Sequence, residues 1–230
     1  MLQNTTLLFD FDSTFTQVEA LDVLGDIVLS GPDKQQKLEL IASVTRRGML
    51  GEVSFRQSLE KRMEILGGTR TDIEKLVRIL KTKVSKSITE NKSFFLQHAD
   101  NIYIISSGFK EFIIPVVKDF GIAPDHVYAN TFVWDKNQSI TGFDRANPLS
   151  QDGGKPEVVR KLPIEGKIVV IGDGYTDYEI KKAGAADIFV AFTENVNRPP
   201  VSERADFIAS NFYNFLNFIT NGTKTVLSQA

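Results

Sequence analysis

TLLFDFDST, residues 6–14, places two aspartates directly after a short apolar run. The run predicts a buried β-strand, because consecutive apolar residues suit a strand that is covered on both faces. Asp10 and Asp12 then stand at the carboxyl end of this strand. Two acids at this spacing are compatible with a plain acidic turn. They are also compatible with a site in which one carboxylate is a nucleophile and the other handles a proton.

A second pair of acids follows another apolar run. Residues 167–171 predict a buried strand, and GDGYTD, residues 172–177, comes directly after it. Asp173 and Asp177 are explained equally well by a glycine turn with an acid that caps the next helix. Together with Asp10 and Asp12, however, they bring four carboxylates to one edge of a sheet. Such a cluster is costly without a cation, and oxygen ligands favour Mg²⁺.

Hydroxyl and amino groups occur at two further turns. Ser106, Ser107 and Gly108 follow a predicted strand over residues 101–105, and Lys155 follows two glycines. A serine with free backbone N–H groups at a strand-to-helix turn suits a phosphate, and a lysine can neutralise one of its oxygens. Taken singly, each feature is an ordinary turn or a surface lysine.

The order of elements predicts an α/β fold. Residues 19–84 have a helical pattern, whereas strands and helices alternate after them. We therefore predict a doubly wound, Rossmann-like parallel sheet with a helical insertion after its first strand. The predicted core comprises residues 1–18 and 85–230, and the predicted helical cap residues 19–84. Residues 127–134 and 139–143 are predicted to form a hairpin or meander.

Composition excludes several classes of function. The 230 residues are 42% apolar and 24% charged, with a formal net charge of -2, so no general attraction to nucleic acid or to anionic lipid is expected. There are no cysteines and only two histidines, which argues against a thiolate or histidine metal site. No apolar run is long enough to span a membrane. The N-terminus lacks a secretory pattern, so we expect a cytoplasmic protein that acts on a small metabolite.

The combination of motifs resembles the haloacid dehalogenase (HAD) superfamily. The motifs are DxDST, a serine after a strand, a lysine, and GDGxxD, and their order covers essentially the whole chain. Within that superfamily the chain is similar to the phosphoserine phosphatase branch. The similarity rests on Glu19, seven residues after Asp12, on GEVSFRQSLEKR at residues 51–62, and on ISSGF at residues 105–109. The resemblance implies a magnesium-dependent phosphatase that releases L-serine from L-phosphoserine, a reaction of serine biosynthesis.

The resemblance also implies catalytic roles. Asp10 matches the nucleophile and a metal ligand. Asp12 matches the general acid/base, with its backbone carbonyl on the metal. Asp173 matches the remaining metal carboxylate, and Asp177 a supporting acid beside the metal.

A second set of positions matches groups that hold the substrate. Ser106 and Lys155 match the phosphate-holding pair, while Glu19 and Arg62 match the groups that grip the ammonium and the carboxylate of an amino acid. Further expected substrate contacts are Met49, Phe55, Ser107, Gly108 and Thr176.

Three residues depart from the family pattern. Thr176 replaces an asparagine, Tyr175 a small residue and Ser107 a glycine. These changes leave open a phosphatase for another small phosphate with an amine, such as phosphothreonine or a phosphorylated amino alcohol. A phospho-accepting receiver module is an alternative of a different class, although it needs a shorter chain and has no place for the helical insertion. An inactive relative that only binds a ligand is a further alternative, which the intact set of acids disfavours.

Overall fold

A parallel sheet of six strands forms the centre of the molecule. The computed structural model describes residues 4–226, with side chains to residue 220. The strand order is β3-β2-β1-β6-β7-β8, and every pairing in this sheet is parallel. Its strands are β1 (Thr5–Phe9), β2 (Ile102–Phe109), β3 (Val127–Asn130), β6 (Lys167–Gly172), β7 (Ile188–Phe192) and β8 (Phe207–Ala209). The predicted α/β class and doubly wound sheet are confirmed.

The first strand shows why these residues form a central strand. Leu7 and Phe9 pack into one hydrophobic core and Leu8 into a second core, on the other side of the sheet. Side chains of a strand alternate between its two faces, so a continuous apolar run fills both cores. β1 lies between β2 and β6, which places its carboxyl end in the middle of one sheet edge.

Helices flank the sheet and fill the predicted insertion. They are α1 (Ala20–Val28), α2 (Lys34–Met49), α3 (Phe55–Ile65), α4 (Arg70–Lys81), α5 (Lys86–Glu90), α6 (Lys92–His98), α7 (Lys110–Val117), α8 (Gly154–Val159), α9 (Tyr175–Lys182), α10 (Pro199–Ser202) and α11 (Phe212–Val226). α1 to α4 form the helical insertion. In it α1 packs on α2 and α4, and α2 packs on α3.

The assignment of residues 19–84 to a separate cap domain remains a proposal. In the described structure the insertion is not isolated, because α4 packs against α7 of the core and α2 contacts α9. Residues 1–3 and 227–230 of the proposed core lie outside the described residues.

The prediction for residues 127–134 was wrong in part. This segment is not one strand of a hairpin: β3 joins the main sheet beside β2, whereas β4 (Phe132–Trp134) pairs with β5 (Ile140–Phe143) in a separate antiparallel ribbon. Asn130 marks the division. It is fully buried, and its side-chain amide donates to the backbone carbonyls of Ser107 and Leu149.

Within residues 4–226, no helix combines the length and the apolar character needed to cross a bilayer.

Candidate active site

Two strand ends bring the first acids together. Asp10 follows β1, and its backbone N–H donates to Ile171 of β6 at 2.9 Å, while Asp173 follows β6 directly. Asp10, Asp173 and Asp177 each offer a carboxylate oxygen, and these oxygens lie within 4.8 Å of one another. All three side chains are buried. Three of the four acids predicted to converge therefore meet at this edge of the sheet, and this cluster, which does not include the Asp12 carboxyl group, could hold a metal ion.

Lys155 supplies a buried positive charge beside this cluster. Its Nζ lies 2.9 Å from Oδ1 of Asp10 and 2.7 Å from Oδ1 of Asp177. α8 begins at Gly154, so Lys155 lies in the first turn of this helix. A Cβ on Gly154 would lie 1.9 Å from the carbonyl oxygen of Pro148, so only glycine permits this close approach.

Charge interactions in the cluster are strong. Burial, followed by the charge of Asp10, raises the pKa of Asp177 to about 7. Burial alone would lower the pKa of Lys155, but the carboxylates of Asp10 and Asp177 outweigh it and raise this pKa. Lys155 pairs with Asp10 and Asp177, and Arg198 pairs with Asp173, so two positive charges compensate the three carboxylates only in part. A bound cation would relieve the remaining repulsion, and the all-oxygen donor set suits a hard cation.

Asp12 has an environment that favours its protonated form. Burial, and then the charges of Glu19 and Asp10, raise the pKa of Asp12 well above its usual value of 3.8. The backbone N–H of Ala20 donates to Oδ1 at 2.7 Å, which fixes the orientation of the carboxyl group. A carboxyl group with a raised pKa and a fixed orientation is suited to general acid catalysis.

Ser106 and Gly108 lie opposite Asp12 on an irregular part of β2. The predicted strand ended at residue 105, but β2 continues to Phe109, with a shift of register between Ile105 and Phe109. The backbone N–H of Gly108 donates to Oγ of Ser106 at 3.0 Å. A Cβ on Gly108 would lie 3.2 Å from Oγ of Ser106 and 3.3 Å from Oδ2 of Asp12. Glycine thus keeps open the space between these two oxygens.

Two contacts to Asp173 were not predicted. The Thr14 hydroxyl donates to Oδ1 at 2.8 Å, and the Arg198 guanidinium donates to Oδ2. Arg198 also forms an ion pair with Glu19 at 3.4 Å. Arg198 follows β7, whose carboxyl end lies at the same sheet edge as those of β1 and β6. The strand-end argument that identified Asp10 and Asp173 would have indicated the segment after β7 as well.

Glu19 and Arg62 lie close enough to Asp12 for their charges to act on its pKa. Glu19 accepts a hydrogen bond from the Ser13 hydroxyl at 2.7 Å. Arg62 is buried, and its Nε donates to the backbone carbonyl of Ser58 at 3.3 Å. In the described part of the chain, no carboxylate lies within 4.0 Å of the Arg62 guanidinium, although Glu19, Asp22 and Asp12 all act on its charge.

A cavity of about 630 Å³ opens next to these groups, with Glu19, Asp22 and Arg198 among its lining residues. Asp22 was not singled out from the sequence. It accepts a hydrogen bond from the Thr45 hydroxyl at 3.0 Å. Burial, and then the charge of Glu19, raise the pKa of Asp22 to about 6.

The helical insertion reaches the catalytic loops through several contacts. Met49 and Phe55 are buried, and Sδ of Met49 lies 3.0 Å from the position that a Cβ on Gly174 would take. Gly51, with a φ of +73°, packs against the ring of Tyr175; a Cβ there would lie 2.9 Å from the ring. Thr176, next along α9, is also buried. Tyr175 therefore fills a place between core and insertion that a smaller residue would leave open.

A polar contact joins the same two parts of the molecule. The backbone N–H of Arg56, in the first turn of α3, donates to Oδ1 of Asp152 at 3.0 Å. The Arg56 guanidinium also donates to the side chain of Gln151. Both acceptors belong to the loop that leads into Lys155.

Comparison with known proteins gives a consistent family assignment. The family model described as haloacid dehalogenase-like hydrolase matches residues 7–181. Phosphoserine phosphatase of Drosophila melanogaster is 31% identical over 214 residues, which cover 91% of this chain and 76% of that protein. Phosphoserine phosphatase of Homo sapiens is 30% identical over 211 residues, which cover 90% of each chain.

Solved structures show the same architecture. A phosphoserine phosphohydrolase-like protein from Francisella tularensis superposes with a TM-score of 0.85 at 28% identity, covering 94% of this chain and 99% of that one. A substrate-bound phosphoserine phosphatase complex superposes with a TM-score of 0.76 at 21% identity, covering 94% and 98%, and shows that the fold is shared. The match to a hydrolase family over most of the chain favours an enzyme over a receiver module.

Proposed function

Because the chain belongs to the haloacid dehalogenase-like hydrolases, we propose that it is a phosphatase that converts L-phosphoserine to L-serine through an aspartyl-phosphate on Asp10. The observation that carries this proposal is the pairing of Asp10 with Lys155 at 2.9 Å, at a buried sheet edge that Asp12 also faces. An ionised carboxylate and a proton donor are the two groups that a two-step transfer requires. The similarity to phosphoserine phosphatases supports the choice of substrate.

The reaction proceeds in two steps. In the first, a carboxylate oxygen of Asp10 attacks phosphorus, the bond to the serine oxygen breaks, and Asp12 gives its proton to the departing alkoxide. In the second, Asp12 takes a proton from water while that water attacks phosphorus, which releases inorganic phosphate and restores Asp10. Asp12 is thus an acid first and a base afterwards, and its raised pKa supports the first role.

We assign the metal site to Mg²⁺, held by the side chains of Asp10 and Asp173 and by the backbone carbonyl of Asp12, with Asp177 beside it. The clustered, buried carboxylates and their unrelieved repulsion support this assignment. When bound, Mg²⁺ supplies positive charge to the phosphate oxygens. Arg198 and Thr14 already orient Asp173, so this carboxylate has a fixed direction.

The phosphate lies, in this proposal, between Lys155 and Ser106. Lys155 carries its charge at neutral pH because two carboxylates raise its pKa, so it can neutralise a phosphate oxygen. Ser106 contributes its hydroxyl, which the backbone N–H of Gly108 orients, and Ser107 contributes its backbone N–H to the remaining oxygens. The open space at Gly108 supports this position for the ligand.

The amino-acid end of the substrate contacts the helical insertion, which we propose is a cap domain of residues 19–84. Arg62 would bind the carboxylate through two parallel hydrogen bonds, and Glu19 the ammonium. The lack of a close carboxylate partner for the Arg62 guanidinium, within the described residues, supports this role. Further contacts come, in this proposal, from Met49, Phe55 and Thr176.

A phosphate-release screen tests the substrate directly. Phosphoserine, phosphothreonine, phosphoethanolamine and sugar phosphates are compared at equal concentration with Mg²⁺ present. We expect phosphoserine to have the highest kcat/KM. A clear preference for phosphothreonine or phosphoethanolamine would instead assign the enzyme to another amine-bearing phosphate, as Tyr175 and Thr176 permit.

Cytoplasmic location and the absence of nucleic-acid partners stay predictions from the sequence.

A further inference from the structure

The loop that carries Asp12 has an unusual backbone. In this acid loop, defined as residues 11–16, Ser13 has a φ of +54°, a left-handed conformation that a serine seldom adopts. The loop nevertheless holds three groups of the site in place. Asp12 accepts from Ala20, the Ser13 hydroxyl donates to Glu19, and the Thr14 hydroxyl donates to Asp173. Strain of this kind persists only where surrounding contacts impose it.

The contacts that impose it come from a part of the chain distant in sequence. The side-chain amide of Asn195 donates to the backbone carbonyls of Ser13 at 3.0 Å and Thr16 at 3.2 Å. It also lies 2.7 Å from Oγ of Ser85, which donates to the carbonyl of Thr14 at 2.6 Å. Carbonyl oxygens can only accept, so the NH₂ group of the amide must face them.

Burial makes these hydrogen bonds hard to replace. Ser13, Thr16 and Ser85 are each nearly or fully buried. A buried carbonyl that loses its donor incurs a desolvation cost. The loop would therefore lower its free energy by rotating that carbonyl towards another donor or towards solvent. Such a rotation would let the Ser13 backbone leave its left-handed conformation, and the neighbouring Asp12 and Thr14 would move with it.

Asn195 is itself well anchored. It follows β7, the fourth strand whose carboxyl end contributes to this edge of the sheet. The preceding Glu194 accepts from the backbone N–H of Ser87 at 3.0 Å and also from the Ser87 hydroxyl. Ser87 in turn accepts from the backbone of Phe212 at 2.8 Å. The segment is thus fixed to the core and can act as a rigid support.

We propose that Asn195 is a positioning residue, which holds the acid loop in the conformation that aims Asp12 at the leaving group. Asn195 acts through the backbone of the loop and does not touch the substrate. The inference rests on the proposed phosphatase activity, but it does not require that phosphoserine be the preferred substrate.

Leaving-group dependence distinguishes positioning from a purely structural role. We compare kcat/KM of Asn195→Ala for phosphoserine, an alkyl phosphate that needs a proton donor, and for p-nitrophenyl phosphate, which scarcely needs one. A displaced Asp12 should lower the value for phosphoserine by about 10- to 100-fold and the value for the aryl phosphate much less. Asn91→Ala is the control for the anchor alone, because this amide donates to the carbonyl of Ser87, which holds Glu194, but does not reach the acid loop.

A double-mutant cycle with Asp12→Asn completes the test. Once the acid is gone, the further loss of kcat/KM for phosphoserine in Asn195→Ala should shrink to the loss seen for p-nitrophenyl phosphate, because only the contacts of Ser13 and Thr14 remain to be disturbed. Hydrogen exchange of the amides of residues 13–16 should be faster in Asn195→Ala than in Asn91→Ala. If Asn195→Ala does not fold, Asn195→Ser, which keeps one donor, takes its place.

The outcomes separate the two proposals. Equal losses for both substrates, or losses that multiply in the double variant, would overturn the role of Asn195. If wild-type enzyme prefers a different alkyl phosphate, the substrate assignment fails. The double-mutant cycle is then measured with that alkyl phosphate instead.

Discussion

Nζ of Lys155 lies 2.9 Å from Oδ1 of Asp10, and both side chains are almost fully buried. In the proposed mechanism, the Lys155 ammonium is thereby held beside the carboxylate that attacks phosphorus, where it can also contact the incoming phosphate oxygens.

Replacing the nucleophile tests the role of this pair. Asp10→Asn keeps the size of the side chain but removes the attacking charge. We expect kcat to fall by more than about 10³-fold, with the folded structure unchanged in circular dichroism. In crystals of the wild-type enzyme grown with beryllium fluoride, the acyl-phosphate mimic should lie on Asp10. Beryllium fluoride on Ser106 would reverse the assigned roles.

Removing the proton donor should affect substrates unequally. Asp12→Asn is expected to lower kcat/KM for phosphoserine by about 10²- to 10⁴-fold, the usual range for general acid catalysis. The loss for p-nitrophenyl phosphate should be much smaller, because its leaving group is stable without a proton. The measurement is a comparison of initial rates at matched substrate concentrations, and equal losses would argue against the acid role.

Metal removal tests the cation site. Chelation should abolish turnover, and added Mg²⁺ should restore it, because Lys155 and Arg198 together compensate the carboxylates of Asp10, Asp173 and Asp177 only in part. Ca²⁺ should restore little, since its longer and looser coordination does not reproduce the geometry of Mg²⁺. Undiminished activity in excess chelator would contradict the assignment.

Replacing Arg62 tests whether the enzyme selects substrates that carry a carboxylate. Arg62→Ala should lower kcat/KM for phosphoserine by about 10²- to 10³-fold, because a desolvated carboxylate loses its bidentate partner. Arg62→Lys should recover only part of this, since an ammonium cannot form the planar pair. Arg78→Ala, on an exposed face of the insertion, is the control. Equal losses for phosphoserine and p-nitrophenyl phosphate would assign Arg62 to the phosphate or to the fold.

Asp22 gives a prediction about stability and pH. Its pKa in the folded protein is about 6, above the usual 3.8, so the ionised form is disfavoured by folding. Its effect on stability is therefore most favourable below pH 4 and is lost as the pH rises through 6. Asp22→Asn should raise the free energy of unfolding by about 1–3 kcal/mol at pH 7.5, and the gain should disappear near pH 4.

Urea unfolding at the two pH values measures this effect. Asp125→Asn is the control, because this aspartate is exposed and lies outside the helical insertion. A gain that is the same at both pH values would show that ionisation of Asp22 is not its cause.

The strand-end argument explains why so much of the site could be predicted. Asp10 and Asp173 each follow an apolar strand, and parallel strands bring their carboxyl ends to one edge. The carboxyl end of β7 lies at the same edge, but Asn195 and Arg198, which follow it, were not predicted from the sequence. Both lie in a polar segment without a motif, and only their contacts to the acid loop and to Asp173 reveal what they do.

The sequence also did not predict which strands pair with each other. Residues 127–134 form one apolar run with a polar interruption at Asn130 and Thr131, and nothing in such a run states which strand it will join. The structure divides it because the buried Asn130 side chain binds two backbone carbonyls. Likewise, the register shift in β2 that presents Ser106 depends on pairing with β3, which local sequence does not encode.

The hydrogen bond from the backbone N–H of Arg56 to Asp152 joins the helical insertion to the loop before Lys155. Asp152 precedes Lys155 by three residues, so lifting the helical insertion pulls on the segment that carries the ammonium group. We therefore expect opening of the insertion to be coupled to release of the bound anion and to limit the catalytic cycle, so that kcat for phosphoserine falls as solvent viscosity rises. Asp152→Ala, which removes the acceptor, should weaken that dependence.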